Sequence, residues 1–247
     1  MSPSFSYKRL RYGQAIVAST LLAWSACAMA NVVVYPMTTH IAPEHEGIGQ
    51  IELHSKSDQV QYVKVRVAEI VAPATRDERE NTLSADDALV VSPQRLVLSP
   101  ASSRTVRLIA PVAPQEEKAY RVYFEPVDAP SDATFEEAVS ADVSTKLGVN
   151  LVFGALVRVL PDNGRIGARL VDDGKRLLNN GTLRIGALKI GRCPAVDNER
   201  DCRWTDVNRS VYPTHHIEMP DIPGTGHLVL RYQTSQDETP KLLALQP

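Results

Sequence analysis

Two cysteines late in the chain are the residues whose spacing most clearly indicates chemistry. Cys193 and Cys202 are separated by Pro-Ala-Val-Asp-Asn-Glu-Arg-Asp. In an oxidising compartment such a pair forms a disulfide, and closing so short a loop stabilises a fold by about 2–3 kcal/mol. A redox or metal pair is the alternative, but the chain has no Cys-x-x-Cys motif and no histidine near the pair. We therefore predict a structural disulfide between Cys193 and Cys202.

The other polar residues do not form a catalytic or metal-binding pattern. The histidines are scattered, and the adjacent His215-His216 would point to opposite faces of a strand, whereas a metal needs convergent ligands. The motifs Gly-x-Ser-x-Gly and His-Glu-x-x-His and the glycine-rich phosphate loops do not occur in the sequence. The acid pairs Asp86-Asp87 and Asp172-Asp173 are typical of loops and turns. We therefore predict no metal, no cofactor and no enzymatic activity.

The first thirty residues have the pattern of a signal peptide. Three basic residues precede a short apolar run, which ends at the small-residue cleavage pattern Ala28-Met29-Ala30. The run is shorter than the roughly 20 apolar residues that a membrane-spanning helix needs. Cys27 raises a lipoprotein signal as an alternative, although the residues before it lack the expected aliphatic side chain. We predict that residues 1–30 are removed and that the protein is exported.

The charge of the exported chain argues against a nucleic-acid partner. The sequence has 27 basic and 29 acidic residues. Residues 1–30 hold three of the basic ones and none of the acidic ones, which leaves a net charge of −5 after cleavage. Domains that bind nucleic acid usually carry a basic patch, so no nucleic acid is predicted as a partner.

The apolar stretch Leu147–Leu160 is the best candidate for a binding element. Its odd positions are all apolar, whereas its even positions include glycine, asparagine and arginine. A strand buried on both faces would be more uniformly apolar, and this is the alternative. An exposed edge strand offers its N–H and C=O groups to a partner and fills the partner's pockets with alternate side chains. If the stretch is such an edge, the row that faces the partner consists of Val149, Leu151, Phe153, Ala155 and Val157, and the pattern by itself leaves both alternatives open.

The elements that surround this stretch are predicted to be short antiparallel strands. Apolar and polar residues alternate with period two in many segments, for example Tyr62–Val67 and His227–Tyr232, and Pro- and Ser-containing turns separate them. Hairpin turns are predicted at Asp172-Asp173-Gly174 and Asn179-Asn180-Gly181. This pattern favours an all-β fold of sandwich type.

The segment Pro161-Asp162-Asn163-Gly164 is the predicted domain boundary. It ends the longest apolar run and combines proline with a turn signal. The prediction is an N-terminal domain over residues 31–161 and a C-terminal domain over residues 162–247, each close to the usual size of about 100 residues.

Several segments, taken together, resemble a known family. They are Asn31–Pro36, Val91–Pro100, Tyr120–Pro126 and Val149–Pro161, and they resemble periplasmic chaperones of the chaperone–usher pathway, especially the branch that serves class 5, colonisation-factor-type fimbriae. The resemblance implies two immunoglobulin-like β-sandwiches in an L or boomerang arrangement. It also implies that the last strand of the first domain completes an unfinished pilus subunit, by donor-strand complementation, before delivery to an outer-membrane usher.

This chain departs from the family where the subunit's terminal carboxylate is held. The better-known branch uses an arginine on the first strand and a lysine on the donor strand, but these positions correspond here to Val32 and Leu156. Arg158 is the substitute candidate. It is also a candidate for an ion pair with Glu125 inside the hinge, and the sequence leaves both roles open.

Two further alternatives follow from the same residues. A secreted β-sandwich fimbrial subunit or adhesin is the competing function, although a subunit would have one incomplete domain and a free apolar N-terminal extension. An unoccupied donor edge also predicts self-association. The acidic loop Asp128–Ser144 is a candidate cover for that edge.

Overall fold

The computed structural model describes residues 32–82, 89–127, 151–196 and 199–246. The predicted signal peptide, the loop Asp128–Ser144 and Val149 lie outside these ranges. The one helical element in the described ranges is a 3₁₀ turn, Pro43–His45. None of the described helical segments is long and apolar enough to cross a membrane.

The first part of the described chain forms ten strands that build two sheets. In chain order they are β1 (Val32–Tyr35), β2 (Thr38–Ile41), β3 (Ile48–Ser55), β4 (Gln61–Val71), β5 (Arg79–Thr82), β6 (Val90–Ser92), β7 (Arg95–Leu98), β8 (Ser103–Ile109), β9 (Lys118–Val127) and β10 (Phe153–Val159). One sheet has the order β1-β3-β8-β6, and the other has the order β2-β10-β9-β4-β5 with β7 also paired to β4. Apolar side chains of the two sheets form one buried cluster, so the sheets pack as a sandwich.

The second part forms seven strands and another sandwich. They are β11 (Ala168–Val171), β12 (Arg176–Asn179), β13 (Ile185–Cys193), β14 (Arg203–Val211), β15 (His216–Glu218), β16 (His227–Gln233) and β17 (Lys241–Leu245). Their two sheets have the orders β11-β12-β15 and β14-β13-β16-β17, and they enclose a second core. The predicted all-β fold with two sandwiches is confirmed.

Period-two alternation explains why these strands form. In β4, Val63 and Val65 are buried, whereas Lys64 between them is exposed. Successive side chains of a strand point to opposite faces, so one apolar row enters the core and the polar row meets solvent.

One of the two predicted hairpin turns has a different role in the structure. Asp172, Asp173 and Gly174 adopt positive φ angles of 53°, 54° and 81° between β11 and β12, as a tight hairpin requires. Asn179, in contrast, is fully buried. Its amide nitrogen donates to the carbonyls of Leu183 and Val211, at 2.8 Å each. A buried polar side chain must find such partners. Asn179 therefore ties the end of β12 to Leu183, which lies before β13, and to Val211 at the end of β14.

The two sandwiches meet through polar and apolar contacts. The amide of Glu117 donates to the carbonyl of Thr182 at 2.8 Å, and the side chain of Gln236 donates to Glu44 at 2.8 Å. Two small apolar clusters join residues from both sides, and they are Ala42, Leu160 and Leu183 in one and Ile70, Ala119 and Tyr212 in the other. The end of β10 therefore leads directly into the junction.

Candidate partner-binding edge

β10 has a neighbour along one side but along only part of the other. β9 pairs with it antiparallel from Phe153 to Val159. β2 pairs with it in parallel only from Leu156 to Val159. The amide of Leu156 donates to the carbonyl of Met37 at 2.9 Å, and this is the first bond on the β2 side. Before Leu156, no strand within the described ranges occupies that side.

The backbone groups that face this open side can be identified from the alternation of the strand. The amides of Leu156 and Leu160 both donate towards β2, to Met37 and Ile41, at 2.9 Å each. Because N–H and C=O groups alternate in direction along a strand, those of Gly154 point to the same side as those of Leu156. The open stretch Leu151–Ala155 therefore has main-chain bonding capacity that the described part of the chain does not use.

The side chains of the predicted partner-facing row divide into three groups. Ala155 and Val157 are fully buried in the first core, so the prediction that they face a partner is wrong. Phe153 is partly buried and packs against the same core. Leu151 precedes the strand and is 52% exposed. The sandwich itself needs the apolar row, and period-two alternation does not distinguish a row that fills its own core from one that fills a partner.

The opposite face of β10 carries Gly154, Leu156 and Arg158. A side chain at Gly154 would meet Arg121 Cδ at 3.0 Å and Tyr123 Cε1 at 3.2 Å, so these two residues of β9 lie close over the glycine. Leu156 is partly buried and packs against the cluster that contains Tyr212 of the second sandwich. At the open stretch this face is therefore partly covered by the polar residues Arg121 and Tyr123. At Leu156 it is covered by the second sandwich.

Arg158 lies in the junction, but its acidic neighbour differs from the predicted one. Arg158 Nε lies 4.0 Å from Glu117 Oε1 and donates to the Tyr212 hydroxyl at 3.3 Å. Glu125 pairs with Arg66 instead, on the outer face of the first sandwich. The predicted Arg158–Glu125 pair is therefore wrong, although an ion pair at the hinge does exist. Glu117 gives no sequence signal that separates it from Glu116 beside it.

Glu117 is the centre of this junction. Its side chain is 0% exposed, and it accepts hydrogen bonds from the Arg184 amide at 2.7 Å and the Ser235 hydroxyl at 3.0 Å. The Nε atom of Arg184 lies 3.9 Å away, and it is buried without a hydrogen-bond partner. Two guanidinium groups thus flank one carboxylate. Burial, and secondly the nearby Arg158, lower the pKa of Arg184.

Further apolar residues that sequence analysis did not select lie beside the open stretch. Val152 is 51% exposed next to Leu151. Tyr35 and Met37 are also exposed, where the chain passes from β1 to β2 and reaches the edge of β10. The available signal was Pro36, which has no N–H for a ladder and separates β1 from β2.

The predicted disulfide is present, and it lies in the second sandwich. Cys193 ends β13, and Cys202 directly precedes β14. Among the described residues, no three His, Cys, Asp or Glu side chains are grouped so that they could hold a metal ion.

Comparisons with known proteins agree with one another on a fimbrial system. The chain is 30% identical over 198 residues to a CFA/I protein of Escherichia coli that is named as a fimbrial subunit, with 78% of this chain and 82% of the relative covered. It is 31% identical over 199 residues to a CS1 protein of Escherichia coli, also named as a fimbrial subunit, with the same coverage. No family model matches the sequence.

Comparison with solved structures shows which fold the chain shares with fimbrial chaperones. The crystal structure of the class 5 fimbriae chaperone CfaA superposes with a TM-score of 0.72 and 26% identity, and the match covers 88% of this chain and 100% of that chain. A second structure, from work on a chaperone–tip adhesin complex in CFA/I fimbriae biogenesis, has a TM-score of 0.68, 25% identity and the same coverage.

Proposed function

Because this chain belongs to the family of pilus-assembly chaperones that serve class 5 fimbriae, we propose that it captures an incomplete fimbrial subunit at the open edge of β10. The observation that carries the proposal is the stretch Leu151–Ala155, where an apolar strand has one side without a neighbour among the described strands. A subunit that lacks a strand would pair its backbone with this side, and Leu151 and Val152, which point to opposite faces of an extended strand, would each bring an exposed apolar side chain against it.

Two other edges that the described residues form, β5 and β14, are protected against strand addition, in contrast to this one. All four residues of β5 are polar and exposed. β14 carries the charged residues Arg203, Asp206 and Arg209, and its pairing with β13 is irregular beside Asn208, whose φ is 48°. Charges and irregular pairing prevent unwanted strand addition. The open stretch of β10 has neither.

The exposed apolar side chains and the free backbone groups of the edge contribute similar amounts to the expected affinity. Full burial of a leucine or valine stabilises a complex by about 1.5–3 kcal/mol. A backbone hydrogen bond adds about 0.5–1.5 kcal/mol net, because water is displaced from both partners. Leu151 and Val152 are already about half buried, so burial of their remaining surface contributes about half of that amount each. This is comparable with the contribution of the few free backbone groups of the edge, and the backbone pairing also sets the register.

The cellular context follows from the same proposal. The exported chain would act in the periplasm after loss of residues 1–30, and residues 31–161 and 162–247 would form its two domains. It would bind fimbrial subunits and deliver them to an outer-membrane usher, without catalysing a reaction. A structural relative comes from work on a chaperone–tip adhesin complex, which supports a fimbrial partner for this chain.

Arg158 is the proposed contact for the terminal carboxylate of the subunit. Its side chain is 16% exposed, on the same face of β10 as Leu156, and it shares Glu117 with Arg184. Two guanidinium groups share one carboxylate, so a second anion would be attracted to the exposed part of Arg158. Replacing Arg158 by glutamine should weaken capture of a subunit with a free terminal carboxylate more than capture of one with an extended C terminus. Equal losses would contradict this role.

Self-association of the free chaperone through the open edge is part of the proposal, because an unpaired apolar edge also accepts a second copy. Sedimentation of the wild type and of Leu151→Arg at increasing concentration would test it. We expect a concentration-dependent dimer that the substitution abolishes and an excess of subunit disperses. A wild type that stays monomeric throughout would contradict self-association.

The capture experiment compares charged substitutions at the open stretch with one at an exposed apolar residue on another strand. Leu151→Arg and Val152→Arg place a charge at the open stretch, whereas Val97→Arg on β7 is a matched control, because Val97 is also an exposed valine. We expect the two edge variants to stay folded and to lose subunit binding by about tenfold or more, since 1.4 kcal/mol corresponds to a factor of ten. The control should bind normally.

If both edge variants captured the fimbrial partner as well as the control does, the proposed edge would be wrong.

The competing function, a fimbrial subunit, is tested by mass spectrometry of purified fimbriae. The names of the two curated relatives contain the word subunit, so this test is needed. A subunit would be incorporated in the fibre in stoichiometric amount, whereas a chaperone would not.

A further inference from the structure

The chain contains two Asn-Gly pairs, and the structure treats their glycine amides differently. Asn163-Gly164 lies in the link between the two sandwiches, and Asn180-Gly181 follows β12. In an Asn-Gly pair, the glycine nitrogen can attack the asparagine side-chain amide, because glycine has no Cβ to hinder the approach. The attack requires a glycine N–H that is exposed and not hydrogen-bonded.

Gly181 does not meet this requirement. Its amide donates to Asn179 Oδ1 at 2.9 Å and to the Gly167 carbonyl at 3.2 Å. The residue is buried, and a Cβ at this position would lie 2.4 Å from the Arg165 carbonyl oxygen. The Gly181 amide is therefore neither exposed nor free to attack the side chain of Asn180.

Gly164 does meet it. Asn163 and Gly164 are both exposed, and the Gly164 amide donates no hydrogen bond within the described part of the chain. A side chain at position 164 would place its Cβ 2.8 Å from Cδ1 of Leu183, which is buried between the sandwiches. A larger residue at position 164 would therefore have to displace the Leu183 side chain, and glycine fits here directly after an exposed asparagine.

We infer that Asn163 is a modification site, at which the native hinge deamidates spontaneously and forms isoaspartate. The Gly164 nitrogen bonds to Cγ of Asn163, and the bond from Cγ to Nδ2 breaks. Ammonia leaves and takes the proton of the Gly164 amide, and a cyclic imide remains. Water then opens the imide at one of its two carbonyls, which yields aspartate or isoaspartate. Water is the only co-reactant, and no atom changes oxidation state.

Isoaspartate changes the hinge more than aspartate does, because its main chain runs through Cβ and gains one carbon atom. The link is fixed at both ends. The Leu160 amide donates to the Ile41 carbonyl at 2.9 Å in the first sandwich, and the Arg165 amide donates to Thr182 Oγ1 at 2.9 Å in the second. A longer chain between these points displaces one of the bonds or Gly164 itself. Aspartate adds only a charge in solvent.

The chemical test follows both pairs in one sample of the exported, full-length chain. The protein is incubated at 37 °C in mildly alkaline buffer, digested, and assayed for isoaspartate by methyltransferase labelling and peptide fragmentation. We expect modification at Asn163 and not at Asn180 in the folded protein, modification at both after denaturation, and none at position 163 in Asn163→Gln. Equal rates at the two sites in the folded protein, or an intact Asn163, would overturn the inference.

The structural consequence has its own control. Small-angle scattering would compare the isoaspartate form, separated by ion exchange, with the unmodified protein and with Asn163→Asp. We expect the scattering profile of the isoaspartate form to change and that of Asn163→Asp to match the unmodified protein. Identical profiles for all three would show that the added carbon does not disturb the hinge, and that part of the inference would be wrong.

Discussion

The amide of Leu156 donates to the carbonyl of Met37 at 2.9 Å, and this bond divides β10 into two parts. Beyond it, towards Val159, β2 covers the second side of the strand. Before it, from Leu151 to Ala155, that side has no strand partner in the described ranges. A single chain crossing, from β1 in one sheet to β2 in the other, therefore decides how much of the strand stays open.

The division of β10 predicts a large loss of stability for one truncation in this segment and almost none for another. Val157→Ala removes two methyl groups from a fully buried site and should lower the free energy of unfolding by about 1–3 kcal/mol. Leu151→Ala removes a larger but exposed side chain and should change it by less than about 0.5 kcal/mol. Urea denaturation measures both. A larger loss for Leu151→Ala than for Val157→Ala would contradict the burial described here.

The junction predicts a strong effect for Glu117→Ala. The substitution leaves two largely buried guanidinium groups without their carboxylate, and breaking a buried ion pair in this way costs about 3–5 kcal/mol. Glu69→Ala is the matched control, because Glu69 pairs with Lys118 at 2.8 Å on the surface and should cost about 0–1 kcal/mol. Thermal unfolding followed by circular dichroism compares them, and similar losses for the two variants would argue against a stabilising role of Glu117.

The disulfide predicts a stability effect without a binding effect. Replacing both Cys193 and Cys202 by serine should lower the free energy of unfolding by about 2–3 kcal/mol, because the short loop gains freedom when the chain unfolds. Reducing the wild type with dithiothreitol should have the same effect. Subunit capture should be unchanged at a temperature where the variant is folded, since the bond lies in the second sandwich. Loss of capture by a folded variant would contradict the assignment as a staple.

The raised pKa of Tyr120 predicts that the folded protein loses stability at high pH. Burial, and secondly the charge of Glu69, raise the pKa of Tyr120 to about 12, whereas an unfolded tyrosine has a pKa of about 10. The folded state thus favours the protonated phenol. This contribution is complete below about pH 10 and is lost as the pH rises towards about 12. Urea denaturation should show a steeper loss over this range for the wild type than for Tyr120→Phe, and parallel curves would refute the prediction.

Much of the architecture was accessible from local sequence patterns. Alternation in Tyr62–Val67 and the turn at Asp172-Asp173-Gly174 both depend on neighbours along the chain, and both predictions are confirmed. The pairing of Cys193 with Cys202 was also accessible, because these are the only two cysteines beyond the predicted signal peptide.

The details of the site depend on residues that are distant in sequence. Glu117 and Arg184 meet across the junction although 67 positions separate them, and nothing in the local pattern distinguishes Glu117 from Glu125. The face of β10 that enters the core was also assigned wrongly at Ala155 and Val157. An alternating strand has two faces, and only the position of the opposite sheet decides which one is buried.

The sequence by itself determined that this chain forms short strands, that one of them is unusually apolar, and that two cysteines close a loop. These features follow from the period of the side chains and from the chemistry of single residues. Tertiary structure alone decided which stretch of β10 stays open, which of its side chains remain available and which acid the hinge arginines share. Those outcomes depend on where Met37, the facing sheet and the second sandwich come to lie, and sequence spacing does not encode such distances.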